Sequence, residues 1–66
     1  MAVDNLLYEK VLIIKYETSS SKGMMIVLYS YYMKKINKFK KALKDCNIYY
    51  MCECVLTPEI LKELNL

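Results

Sequence analysis

The residues with the widest chemical reach in this 66-residue chain are Cys46, Cys52 and Cys54, spaced C-x5-C-x-C. Thiolates are nucleophiles and soft metal ligands. A zinc site needs four ligands, and the chain has no His. Asp45 or a second subunit would have to complete the set, because on a strand Glu53 points away from Cys52 and Cys54. An odd cysteine count does not describe a disulfide framework. The thiols are therefore read as free and packed like small hydrophobes, with an intersubunit disulfide as a minor alternative. No metal site is assigned.

Ser19-Ser20-Ser21-Lys22-Gly23 faintly suggests a phosphate cradle, but the glycines and the Gly-Lys-Ser/Thr order of a P-loop are absent. It is read as a plain turn. Without His, acid–base catalysis would fall to carboxylates or to a perturbed Lys, Cys or Tyr. Asp4, Glu9, Glu17, Asp45, Glu53, Glu59 and Glu63 are scattered, and Glu59, Lys62 and Glu63 read as a solvated helix face. The expectation is a non-enzymatic protein with no catalytic residue and no cofactor.

Every charged residue from Lys22 to Lys44 is a lysine, and Tyr29, Tyr31, Tyr32, Phe39, Tyr49 and Tyr50 lie close by in sequence. Basic groups track phosphates and aromatic rings stack on bases, so Lys34, Lys35, Lys38, Lys41 and Lys44 are candidate contacts for nucleic acid or an acidic partner. Lysine lacks the bidentate fork of Arg, and no known nucleic-acid-binding pattern is present. A solvated helix face explains the lysines more simply, so nucleic acid is not favoured.

These groups must be positioned by a single small domain, 1–66, with residues 1–8 as a flexible lead. The hydrophobic fraction is 56%, above the roughly 45–50% of ordinary domains. So short a chain has little interior to hold it, and a partner subunit reconciles the two. One Gly and one Pro argue against a loop-rich chain. The uncharged run at 24–33 is about half the length of a membrane-spanning helix, and the N-terminus lacks signal-peptide character. A cytoplasmic protein with no membrane association is expected. The net charge is +3, and the Lys, Ile, Tyr, Asn and Met content fits an AT-rich coding sequence, as in AT-rich bacteria, their phages and some archaeal viruses.

Glu9–Glu17 reads as a strand with a buried centre, and 18–23 as a loop. Residues 24–32 form a hairpin partner strand on one reading, followed by a helix over 33–46. On the other they begin a single helix of about six turns. Met33, Ile36, Phe39 and Leu43 are expected inside that helix, with the lysines outside. Asn47 suits a left-handed helix end. Residues 48–56 read as a strand, and Thr57-Pro58-Glu59 as the capped start of a last helix. The fold class is α+β, order ββαβα, a small sheet packed on one main helix. The alternative is βαβα with a long central helix.

Neither 24–32 nor 48–56 alternates cleanly between apolar and polar, so both sheet faces need cover. With both helices on one face, the other is left bare. Met25, Val27, Tyr29, Tyr31, Tyr49 and Met51 are its expected interface residues. The functional expectation is a protein-binding module, homodimeric, in the size range of a small regulator or inhibitor of a larger protein.

Overall fold

A computed structural model describes residues 3–64 of the chain. Its centre is β1, Lys10–Glu17, whose Val-Leu-Ile-Ile run offers apolar side chains to both faces. Such a strand is stable only in the middle of a sheet covered on both sides. The sheet order β2-β1-β3 provides this, with β2 (Lys22–Leu28) and β3 (Asn47–Val55) each antiparallel to β1. Val11 and Ile14 have no exposed surface.

The turn between β1 and β2 is closed by Thr18. Its N–H donates to the Ser21 carbonyl at 2.8 Å, and its Oγ1 accepts from the Ser21 N–H at 3.2 Å. Those amides are engaged within the turn, as expected of a plain hairpin loop. Next to it, Tyr16 lies across Gly23, its register partner. A Cβ at Gly23 would sit 2.6 Å from the Tyr16 ring, so an edge glycine is covered by an aromatic neighbour. Gly23→Val is expected to cost about 1–3 kcal/mol by overpacking, measured by urea denaturation.

β2 ends at Leu28 and passes directly into helix α1, Tyr29–Lys34, followed after a break at Lys35 by α2, Ile36–Ala42. The two sequence readings of 24–32 thus each hold for part of the segment. Met24-Met25-Ile26-Val27-Leu28 pairs as strand, and Tyr29-Ser30-Tyr31-Tyr32 is helical. No turn separates them because Leu28, at φ −59 and ψ 131, ends the strand and starts the helix. The interior stripe also shifts. Tyr32 packs in the core while Met33, expected inside, is exposed. Asn47 is not a left-handed cap; it begins β3, and its amide donates to Glu17 Oε1 at 3.0 Å.

The last helix, α3 (Pro58–Glu63), starts as expected. The Thr57 hydroxyl accepts from the Ile60 N–H at 3.3 Å, and Pro58 occupies the first turn. Thr57→Ala is expected to lower stability by about 1 kcal/mol in a thermal melt. Ahead of β1, Val3–Leu6 forms a 3-10 turn, and Leu6 is buried. Residues 1 and 2 of the lead lie outside the described residues. The lead joins β1 through Tyr8, the non-glycine residue at positive φ (65°), whose N–H donates to the Leu56 carbonyl at 2.7 Å. Tyr8 has 70% exposure, so its ring contributes little packing. Tyr8→Asn is expected to raise stability by up to about 1 kcal/mol, since Asn tolerates this conformation.

The helices do not share one face of the sheet. Val11 and Ile13 meet Leu6, Leu56, Ile60, Leu61 and Leu64 on the face covered by α3 and the 3-10 turn. Leu12 and Ile14 meet Leu43 and Tyr32 on the face covered by α1 and α2. The face expected to be bare is therefore occupied, and the shortage of cover lies elsewhere.

Candidate functional site

That shortage falls on β3. Of its nine residues, all but Cys52 and Cys54 are exposed. Tyr49 and Val55 each keep 50% of their surface, Met51 48%, and Ile48 and Tyr50 are also exposed. The core clusters draw on β1, β2, the helices and the segments that flank them; from β3 they include only Cys54. β3 thus lies at the edge of the sheet with little cover on its faces and, among the described residues, no strand on its outer side.

Its backbone polarity can be read from its end. The Leu56 N–H donates to the Glu9 carbonyl at 3.0 Å, and the Leu56 carbonyl accepts from Tyr8. In an antiparallel ladder such residues alternate. Cys54 and Cys52, paired with Val11 and Ile13, therefore turn their backbone groups toward β1. Met51, Glu53 and Val55 turn theirs outward, away from the sheet.

A bulge interrupts this order. Tyr50 pairs with Lys15, but Ile48 pairs with Tyr16, so Tyr49 is the extra residue. Its effect is to bring Tyr49 to the face of Tyr50, where the Lys22 amine lies 5.9 Å from the Tyr49 ring and the Lys15 amine 5.1 Å from the Tyr50 ring. Simple alternation along 48–56 places Tyr49 with Met51 instead, and the bulge overturns that. Ile48 moves to the face of Tyr16 and Met51.

The expected interface residues are consequently dispersed. Met25 and Val27 pack in the core beneath α1 and α2. Val27 and Tyr31 meet in an apolar hollow of about 290 Å³ beside β2, lined also by Leu6, Ile26 and Leu28. Tyr29 is half-buried with the Lys10 amine 4.4 Å above its ring. Tyr49 and Met51 stand exposed on opposite faces of β3. Ile48, Tyr50 and Val55 were missed as surface residues. The bulge turns Ile48 to the other face, whereas Tyr50 and Val55 are exposed because β3 is an edge strand with little cover.

β3 carries a single charge, Glu53, whose Oε1 lies 2.7 Å from Lys10 Nζ. That hydrogen bond holds the Lys10 amine above its ordinary value. Among the described residues it is the one ion pair. Lys34, Lys35, Lys38, Lys41 and Lys44 are all exposed on the α1–α2 layer, as their spacing predicts. The aromatic rings beside them are engaged with each other: Tyr31 packs edge-on to Phe39 at 5.9 Å, and Tyr32 lies 5.2 Å from it.

Cys46, Cys52 and Cys54 are free and half-buried. Burial, followed by the neighbouring Cys52, pushes the Cys54 thiol up. Among the described residues no group of His, Cys, Asp or Glu could hold a metal ion, and no helix is long and apolar enough to cross a membrane.

No protein-family model, curated protein or solved structure matches this chain. The class the geometry defines is a small α+β domain with a three-stranded antiparallel sheet and one uncovered edge strand.

Proposed function

We propose that this protein is a protein-binding module that works through the outer edge of β3, and that its first partner is a second copy of itself. The carrying observation is a nine-residue edge strand with one charge and exposed apolar side chains on both faces. Natural sheets usually protect such edges with lysines, proline or a covering segment, because unpaired backbone groups recruit another strand. Here the single acid is already neutralised by Lys10, so an incoming strand meets no unpaired charge. Adding a strand is a general mode of protein recognition, with backbone bonds supplying affinity and alternate side chains specificity. A copy of β3 supplies an equally apolar strand and gives the closed two-fold symmetry commonest among oligomers. A dimer of this size also suits a small regulator that docks on a larger protein.

Sedimentation velocity at micromolar concentration tests this. The expected species has twice the 7.8 kDa chain mass. A strictly monomeric boundary across the micromolar range removes the proposal.

A second reading, contact with nucleic acid, is favoured by the unpaired lysines of the α1–α2 layer. It has charge on its side but not stacking, since Tyr31 and Tyr32 pack on Phe39. Its signature is a mobility shift at low salt that falls steeply as salt is added and is lost in the Lys38→Glu/Lys41→Glu variant. No shift at low salt excludes it.

A further inference from the structure

Building on the self-pairing reading, we infer that two β3 strands pair antiparallel about a two-fold axis passing through Cys52, so that each Cys52 faces its own copy. Only Met51, Glu53 and Val55 offer outward backbone groups on the regular part of the strand, as the Leu56 bonds establish. An antiparallel pair must oppose outward-bonding residues with outward-bonding residues, so the symmetric registers are those centred on one residue.

Four residues of β3 could serve as that centre. Centring on Met51 pairs Glu53 with Tyr49 and runs the ladder into the bulge, where the alternation fails. Centring on Glu53 sets the two carboxylates directly opposite, a destabilising like-charge pair. Centring on Cys54 leaves little overlap before Pro58 starts α3. Centring on Cys52 keeps the bulge largely outside the pairing. Met51 and Glu53 of the copy then exchange both hydrogen bonds, twice by symmetry, while Tyr50 packs against Cys54 of the copy on the opposite face. Glu53 meets a methionine and keeps its Lys10 partner.

Cys52 then occupies a non-hydrogen-bonded position, where paired Cα atoms lie about 4.5 Å apart. That falls within the roughly 4.4–6.8 Å span of disulfides. The register thus has a chemical signature that neighbouring thiols lack, since Cys54 faces Tyr50 and Cys46 precedes the strand.

The test is oxidation by diamide, which takes one hydrogen from each of two thiols, joins the sulfurs and is itself reduced to the hydrazine. Cys46→Ala/Cys54→Ala, retaining Cys52 alone, is expected to become a covalent dimer on a non-reducing gel. Cys46→Ala/Cys52→Ala, retaining Cys54 alone, is expected to remain uncrosslinked. Wild-type protein oxidised in the same way provides a check that needs no variant to fold: mass spectrometry should find the symmetric Cys52 peptide pair between chains. If sedimentation shows a dimer but Cys54 crosslinks as readily as Cys52, or the recovered pair joins Cys52 to Cys54, the register is overturned and the edge-pairing reading stands. If sedimentation shows only monomer, both are overturned.

Discussion

Met51→Pro is expected to yield a folded monomer. Proline lacks an N–H and is tolerated in a sheet only where that N–H faces away from its neighbour. Met51 satisfies this, because its backbone groups point outward while Cys52 and Cys54 bond to β1. Its side chain has 48% exposure, so little packing is lost. In the dimer each copy loses an outward donor and leaves a carbonyl of the other unsatisfied, at about 1–3 kcal/mol each. Two such losses weaken association by roughly 30-fold or more. The circular dichroism spectrum should be that of the wild type, and sedimentation should show the monomer. The contrasting substitution is Cys52→Pro, one residue along. It removes a bond to β1 and is expected to unfold the chain, even though Cys52 is itself only half-buried. Equal damage from both would contradict the assignment of which amides face out.

Ile14→Ala is expected to lower stability by about 2–5 kcal/mol, the usual range for emptying a buried aliphatic site. Ile14 has no exposed surface and sits between its strand neighbours and the α1–α2 layer. For a chain of this length total stability is on the order of 3–10 kcal/mol. Differential scanning calorimetry should place the midpoint about 15 °C lower or more. Met33→Ala, at an exposed site on α1, should shift stability by no more than about 0.5 kcal/mol. The pair distinguishes core residues from surface ones in a stretch where both look equally apolar in sequence.

The legible parts of this fold were those with local chemical causes. The aliphatic run of β1, the Ser-rich turn and the Thr57-Pro58 start of α3 each follow from one or two residues acting on their own backbone. The strand-to-helix switch at Leu28 was harder to locate, because no cap, Gly or Pro marks it and Leu28 contributes no side-chain cap. The bulge at Tyr49 has no residue signature. It arises from register with β1 and reverses the faces of Ile48 and Tyr49. Placing both helices on one face was the larger error. Val-Leu-Ile-Ile at the centre already demanded cover above and below, and α3 reaches the face opposite α2. The excess of apolar residues therefore does not leave a bare sheet face. It leaves a bare strand, and the expected interface contracts from a dispersed set to Tyr49, Met51 and their neighbours on β3.

The most direct test is hydrogen exchange at the Met51, Glu53 and Val55 amides, followed by NMR over a range of protein concentrations. Edge pairing predicts that the Met51 and Glu53 amides become protected as the dimer fills, while Cys52 and Cys54, bonded to β1, are protected throughout. Exchange at Met51 and Glu53 that stays fast and independent of concentration would contradict it.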